Sequence, residues 1–431
     1  MKISKINIQF NLIKSFGVYT LVNIFHSSIP LLLPFILSSL LLPKDFGILS
    51  NINSLFSILV PFIGFSAASA IARQFVKKEI NVPIYMGNVF ILSLFNSLLF
   101  YIIILIFKSW LINIFKINEL VIHSICIYAL THNIMEMVFS FWRMQDDVKK
   151  YSFFRISKSI IELILSLVLI FYIKDWQGRY YSIIGCNIVF TFIIIFFLIS
   201  SKQFKIKINL SYLKHIIIFG LPLIPHALSG VLIMYADKLL ITNYISIEQN
   251  GIYSISFQIG MIISLIQNSF NQAWVPWFFK KIDKDKSMEI RKKLVRYNYL
   301  YFVLLMFMLF CLLLLSPLLF TFLGKEYSGG IKFVGLIGFG FVLNGMYKML
   351  VNYIFYFEKN KYIFIVTIVS AVTNILLNFY LIPKFGVVGG AYSFVLTCFI
   401  ELILTWIVSH QLFPLPWFYF LKSKTSKTVY D

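Results

Sequence analysis

The sequence predicts an all-α integral membrane protein with about twelve transmembrane helices in two six-helix bundles. First, the 431 residues are 59% hydrophobic and 13% charged, whereas soluble proteins carry roughly 25% charged residues. Second, twelve mostly apolar segments have the length, about 20 residues, that crosses a bilayer as a helix. They are centred near residues 26, 59, 95, 130, 164, 190, 228, 263, 310, 343, 372 and 400. Third, the loops between them are short, so no separate soluble domain is expected.

The basic residues are unevenly distributed, and their distribution predicts the orientation of the chain. The formal net charge is +21. If the N-terminus lies in the cytoplasm, most of the 38 lysines and arginines fall in cytoplasmic segments, as the positive-inside rule requires. Both termini are therefore expected in the cytoplasm. The basic loops are interpreted as orientation signals held near anionic headgroups, so nucleic acid is not an expected partner.

The first bundle, residues 1–200, is predicted to contain six spans. The first span has a polar, proline-containing face, the second has small residues that allow close helix packing, and the third and sixth are mostly apolar. The fourth and fifth spans carry ionisable residues, which in membranes tend to face a bundle interior or a wet cavity and to pair. The residues behind these statements are Tyr19, Asn23, His26, Ser27, Pro30 and Pro34 on the first span, and His132, Glu136, Arg143, Arg155 and Glu162 on the fourth and fifth.

A basic loop, residues 201–214, is expected to link the first bundle to the second, residues 215–431. The seventh span carries Asp237, the ninth is apolar, and the twelfth carries Glu401. Amides form a stripe on the eighth span and recur at four-residue spacing on the tenth and eleventh. They are Gln267, Asn268, Asn271 and Gln272 on the eighth, Asn344 and Asn352 on either side of Lys348 on the tenth, and Asn374 and Asn378 on the eleventh.

A short internal repeat supports two halves of equal size. The letters GILS at residues 47–50 correspond to GIYS at residues 251–254, each following a turn that is expected on the outer side. Parallel repeats related by an axis along the membrane normal are a common plan of transporters. The repeat is therefore in keeping with two six-span halves of a transporter.

The chain resembles the Wzx-type polysaccharide biosynthesis flippases, which translocate lipid-linked oligosaccharides such as the O-antigen unit and belong to the MOP superfamily. The resemblance rests on GLPLIP at 220–225, an acidic–basic pair at Asp237-Lys238, GIYS at 251–254, LPKDFG at 42–47 and PKFGVVGGA at 383–391. The family more often has arginine after the aspartate, where this chain has Lys238. A lysine cannot form the bidentate contacts of a guanidinium.

The resemblance implies a MATE-like fold in which two six-helix bundles form a V around a central cavity. It also implies that the cargo is an undecaprenyl-diphosphate-linked oligosaccharide repeat unit. That unit would pass from the cytoplasmic to the periplasmic leaflet of a bacterial inner membrane, for O-antigen or capsule assembly. Membrane lipid and other polysaccharide-assembly proteins are the expected partners. No cofactor or metal is expected, although translocation can be coupled to H⁺ or Na⁺.

Candidate site residues follow from what such a cargo requires of the protein. Cations would hold the diphosphate, amides would bind the sugars, and carboxylates would bind a coupling ion. The cations are Lys348 first, then Arg73, Arg143 and Arg155. The amides are Asn344, Asn352, Gln267, Asn268, Asn271 and Gln272. The carboxylates are Asp237 and Glu136.

Each of these assignments has a structural alternative. Lys348 can pair with an acidic residue or extend towards the cytoplasmic interface. The arginines can be orientation charges, and the amides can bond one helix to another. Asp237 can be neutralised by Lys238, and Glu136 can pair with His132 or Arg143.

Two other classes of function compete with a flippase. A multidrug or small-cation exporter of the same superfamily would have a more acidic cavity than these spans suggest. A membrane glycan polymerase or ligase would need a sizeable outer loop with catalytic residues. Every outer loop predicted here is short, and the sequence has no Ser/His/Asp, metal-binding or nucleotide-binding motif. We therefore expect a transporter and not an enzyme.

Overall fold

The structure, a computed structural model, describes residues 2–66, 68–71 and 80–419. These residues form fifteen α-helices of eight residues or more and one 3₁₀ helix, Lys325–Gly330, and they contain no β-strand. The helices are α1 Lys2–Leu37, α2 Pro43–Gly64, α3 Val82–Ile106, α4 Lys108–Phe115, α5 Glu119–Met144, α6 Val148–Ile173, α7 Trp176–Ser200, α8 Leu210–Gly220, α9 Leu223–Tyr244, α10 Ile247–Gly260, α11 Ile262–Lys284, α12 Met288–Leu323, α13 Ile331–Tyr356, α14 Asn360–Phe385 and α15 Val387–Leu412.

Eleven helical segments of this described part are long and apolar enough to cross a membrane. The twelfth predicted span, near residue 263, is formed by α10 and α11, which meet at Met261. The backbone of Met261 stays in the right-handed helical region, with φ −65° and ψ −13°. The prediction of an all-α membrane protein with about twelve spans is therefore confirmed, and α4 and α8 are short helices between spans.

Several helices begin directly after a residue whose side chain caps them. Asn118, Asp147 and Ser246 each accept a hydrogen bond from a backbone N–H in the first turn that follows. Such caps satisfy donors that have no partner inside the helix. These residues therefore fix where their own helices begin.

Helices α2 and α10 cross so closely that only glycine fits at two positions. A Cβ added to Gly47 would lie 2.1 Å from the carbonyl oxygen of Ile247, and one added to Gly251 would lie 1.8 Å from that of Pro43. Ser254 donates a hydrogen bond to Ser50 over 2.8 Å. These are the two copies of the sequence repeat, so equivalent residues of the repeat contact each other at this glycine crossing.

Further polar contacts hold the glycine crossing together. The amide of Asn250 donates to Asn51 over 2.9 Å, and the hydroxyl of Thr242 donates to the same Asn51 oxygen over 3.0 Å. All three residues are buried. Because removing one partner would leave buried polar groups unsatisfied, this cluster fixes α2 against both α9 and α10.

Candidate functional site

A cavity of about 370 Å³ lies beside the glycine crossing. It is lined by side chains of α1, α2, α5, α6, α7, α9 and α10, and hence by helices from both sides of the loop at 201–214. Ser50 and Ser254 belong to its lining and bond to each other. The central cavity therefore borders the glycine crossing.

One wall of the central cavity carries three ionised side chains, which we name the α6–α7 charge cluster: Lys158, Glu162 and Arg179. The Glu162 carboxylate lies 2.8 Å from the Lys158 ammonium and 2.8 Å from the Arg179 guanidinium. Arg179 also donates to the hydroxyl of Ser166 over 2.5 Å. Two cations therefore share one carboxylate, which leaves the cluster with an excess of one positive charge.

Glu136 lines the same wall and is paired with Arg155. Their charged atoms lie 3.0 Å apart, and the Arg155 guanidinium also lies over the rings of Phe139 and Tyr151. The sequence left His132 or Arg143 as structural partners of Glu136. In the structure its partner is Arg155 of α6 instead. His26, which also lines the cavity, bonds to the hydroxyl of Ser159 over 2.7 Å.

Helix α9, which follows the loop at 201–214, contributes Lys238 to the lining. Its ammonium lies 3.5 Å from the centre of the Phe257 ring and donates to the carbonyl oxygen of Met234. Its neighbour Asp237 is buried and accepts a hydrogen bond from the hydroxyl of Tyr253 over 2.7 Å. The Asp237 carboxylate also lies 3.5 Å from the Lys238 ammonium. Lys238 is a cavity residue, whereas Asp237 is not among the described residues of the lining.

Around the central cavity, cations therefore outnumber carboxylates. Arg155, Lys158, Arg179 and Lys238 are cationic, and Glu136, Glu162 and Asp237 are acidic. Charged groups away from water need partners or water-filled surroundings. The arrangement can therefore bind an anion that supplies further negative charge to Lys158, Arg179 and Lys238.

Lys348 lies elsewhere, between α11 and α13. Its ammonium donates to the side-chain oxygens of Asn268 over 2.8 Å and of Ser264 and Gln267 over 3.3 Å each. We name Lys348 and these three acceptors the Lys348 cage. None of the four belongs to the described lining of the central cavity. The phosphate-binding role that the sequence suggested for Lys348 stays a prediction.

The other amides on these helices bond mainly between helices. Asn352 donates to Asn271 over 3.0 Å, and Gln272 accepts from Thr20 of α1 over 3.1 Å. Asn344 bonds to the buried Glu401 of α15. The amides of the eighth predicted span, on α11, thus face those of the tenth, on α13. The contact of these amides with sugars stays a prediction.

The remaining predicted cations lie near helix ends or outside the described residues. Arg143 is exposed in the last turn of α5. Arg73 lies outside the residues that the structure describes.

Sequence reasoning missed Lys158 and Arg179 as site residues. The spacing of Lys158 and Glu162, four residues apart on one helix, was a readable signal. Arg179 lies on the next helix, and no local sequence pattern indicates that its side chain contacts Glu162.

Comparison with known proteins identifies the family. Residues 12–282 match the model of a family described as polysaccharide biosynthesis protein. This chain belongs to the polysaccharide biosynthesis protein family. The matched residues include every ionisable residue that lines the central cavity, whereas Lys348 and Glu401 lie beyond them.

Individual relatives agree with this membership. A protein of the Lsg locus of Haemophilus influenzae is 24% identical over 415 residues, covering 93% of this chain and 94% of its own length. A capsular polysaccharide biosynthesis protein, CapF, of Staphylococcus aureus is 25% identical over 291 residues, covering 65% and 72%.

The fold is similar to the folds of solved membrane proteins. A multidrug resistance MATE family transporter of the MOP superfamily, in an inward-facing conformation, matches with a TM-score of 0.71 at 15% identity, over 90% of this chain and 94% of its own. The lipid II flippase MurJ in an inward closed conformation matches with a TM-score of 0.67 at 15% identity, over 90% and 87%. The expected family resemblance and fold are thus confirmed, and the chain is a multi-pass membrane protein.

Proposed function

We propose that this protein is a flippase for an undecaprenyl-diphosphate-linked oligosaccharide. It moves the repeat unit from the cytoplasmic to the periplasmic leaflet of a bacterial inner membrane, where other polysaccharide-assembly proteins use it for O-antigen or capsule. The observation that carries the proposal is the α6–α7 charge cluster. This cluster places two cations around one carboxylate in the central cavity of a member of the polysaccharide biosynthesis family.

The diphosphate is the part of the cargo that most needs protein contacts. A charged group that leaves water without a partner is strongly disfavoured, whereas charge-assisted hydrogen bonds offset that loss. Lys158 and Arg179 from the helices before the loop at 201–214, and Lys238 from α9 after it, supply such bonds. When the diphosphate binds, it adds the negative charge that Glu162 alone does not provide.

The sugars of the cargo need hydrogen bonds as well. Asn53, Asn187 and Gln258 line the central cavity. Asn187 is buried, and its side-chain oxygen has no hydrogen-bond partner among the described residues. Side-chain amides both donate and accept hydrogen bonds, so the amides of this lining are the groups that we expect to contact sugar hydroxyls.

Coupling to H⁺ or Na⁺ remains part of the proposal. Glu136 lines the cavity next to the charge cluster, and Asp237 lies behind Lys238. A change in the charge of either carboxylate would alter the field at the cations that hold the diphosphate. In this scheme the two carboxylates set the affinity for the cargo without contacting it.

A multidrug exporter is the second candidate, because the fold is shared with a MATE transporter. The charges around the central cavity argue against it. Glu162 lies between two cations and Glu136 is paired with Arg155. A cationic drug would therefore meet carboxylates that are already neutralised, alongside an excess of positive charge.

The test uses a strain that lacks the gene, with surface glycan and lipid-linked intermediates both measured by mass spectrometry. We expect complete repeat units to accumulate on their lipid carrier, and none at the surface. The wild-type gene and the exposed control Lys293→Gln should restore the glycan, while Arg179→Gln at equal protein level should not. A single unpolymerised unit at the surface would instead indicate a polymerase. Normal glycan with lost resistance to cationic dyes would indicate an exporter.

A further inference from the structure

A second, smaller cavity of about 150 Å³ lies among α2, α9 and α14. Its lining is apolar, with Ile58 of α2, Leu232 and Leu239 of α9, and Ile375 and Phe379 of α14. Ser54 is its one hydroxyl-bearing residue apart from Tyr235, and that hydroxyl donates to the backbone of Ser50. Phe379 is 51% exposed, so the α2–α9–α14 pocket borders the outer surface of the helix bundle.

This pocket and the central cavity share one lining residue among those described. Tyr235 belongs to the lining of both. The Lys238 ammonium lies 5.2 Å from the centre of the Tyr235 ring, one helical turn away on α9. A group bound to Lys238 in the central cavity therefore lies next to the ring that forms the boundary of the apolar pocket.

We propose that the α2–α9–α14 pocket binds the isoprenoid chain of the cargo where it leaves the diphosphate, with Tyr235 between head and tail. This inference rests on the proposed function, since it requires a lipid diphosphate at Lys238. The chain is covalently attached to the diphosphate, so its first units must lie within a few bonds of that site. The pocket next to Tyr235 is apolar and leads to the bundle surface.

The size and chemistry of the pocket fit a short branched hydrocarbon. An apolar cavity of about 150 Å³ lined by leucine, isoleucine and phenylalanine stays dry and binds a benzene-sized group. A five-carbon isoprene unit is of comparable size. The chain enters this pocket from lipid, which is as apolar as the pocket lining, so the gain comes from close packing against the branched hydrocarbon and not from its removal from water. The pocket thus contributes affinity that a cargo without a tail cannot gain.

The experiment measures binding of two ligands to purified protein in nanodiscs. One is the diphosphate-linked oligosaccharide on its full undecaprenyl chain, and the other is the same head group on a single short alkyl chain. Ile375→Trp fills the pocket. Leu376→Trp is the matched control, because Leu376 is adjacent on α14, 64% exposed and not part of the described pocket lining.

We expect Ile375→Trp to weaken binding of the long-chain ligand at least about tenfold and to change binding of the short-chain ligand less than about twofold. Leu376→Trp should change neither. An equal loss for both ligands, or unchanged long-chain binding, would overturn the pocket assignment while leaving the flippase proposal in place. If the wild-type protein binds neither ligand, the proposed function itself fails, and the pocket assignment fails with it.

A second measurement applies if Ile375→Trp does not fold. A photo-crosslinking amino acid replaces Ile375 in one sample and Leu376 in another. Capture of the isoprenoid chain at position 375 in excess over position 376 supports the assignment. Capture of phospholipid alone at position 375 overturns it.

Discussion

The α6–α7 charge cluster and the Lys348 cage both hold a cation inside the membrane-spanning part of the protein, but in different surroundings. Lys158 and Arg179 contact a carboxylate and line the central cavity. Lys348 contacts three neutral oxygens between α11 and α13, away from the described cavity lining. This difference shows that a charged residue within a span does not by itself identify a cargo site. To identify one, the residue must also line a cavity, and the charges around it must leave an excess that the cargo can neutralise.

Reversing a charge in the cluster should produce the largest effect. Arg179→Glu places a second carboxylate beside Glu162 and leaves Lys158 as the single cation of the cluster. Breaking a buried ion pair typically costs about 3–5 kcal/mol, so we expect severe loss of folded protein and no detectable transport. The measurements are thermal unfolding in detergent and surface glycan at matched expression.

The swap of both charges is the control for that experiment. Glu162→Arg combined with Arg179→Glu restores an opposite-charge pair at the same two positions. It should recover part of the stability that Arg179→Glu loses, because the swap leaves Lys158 beside a second cation. If Arg179→Glu is as stable as the wild type, the ion pair between Glu162 and Arg179 does not stabilise the fold.

Removing the cation of the Lys348 cage should mainly reduce stability. Lys348→Met keeps a similar length but leaves the oxygens of Ser264, Gln267 and Asn268 without their donor. Unsatisfied buried groups cost about 1–3 kcal/mol, and the partial exposure of Asn268 places the expected loss near the lower end of that range. Denaturant unfolding in detergent would measure it. A variant of unchanged stability that cannot transport would show that Lys348 contacts the cargo.

Neutralising the carboxylate of the cluster should have a smaller effect, and of opposite sign, on binding. Glu162→Gln frees Lys158 and Arg179 from their internal partner, so their attraction to a diphosphate increases. We expect the affinity for a lipid diphosphate to rise about fivefold and the transport rate to fall, because release becomes slower. Titration calorimetry on protein in nanodiscs checks the first effect. Weaker binding than that of the wild type would mean that Glu162 itself contacts the cargo.

Much of the fold could be predicted from the sequence, because a bilayer imposes simple rules on length and hydropathy. The length of the apolar stretches in the sequence predicted the eleven helical segments that can cross a membrane. It also predicted the twelfth span, in which amides such as Gln267 and Asn271 lower the hydropathy without ending the helix. The repeat at residues 47 and 251 marked the glycine crossing, although its role in holding α2 against α10 required the structure.

The candidate site was less accessible from sequence. Glu136 and Arg155 were both selected, yet their pairing depends on how α5 packs against α6. Arg179 follows the first turn of α7, and only the antiparallel packing of α6 and α7 brings it to Glu162, 17 residues earlier. The spacing of polar residues showed which faces of the spans are polar. It could not show whether such a face lines a cavity or packs against another polar face, as the face of Lys348 does.

The most direct test compares one cation from each region in the same translocation assay. Purified protein is reconstituted in proteoliposomes that contain an undecaprenyl-diphosphate-linked oligosaccharide, and the appearance of the glycan on the opposite leaflet is followed over time. A charge-assisted hydrogen bond contributes about 1.5–3 kcal/mol. Lys158→Met should therefore lower the rate per folded molecule at least about tenfold, while Lys348→Met should keep at least about half of it. The reverse result would contradict this account and place the diphosphate at Lys348.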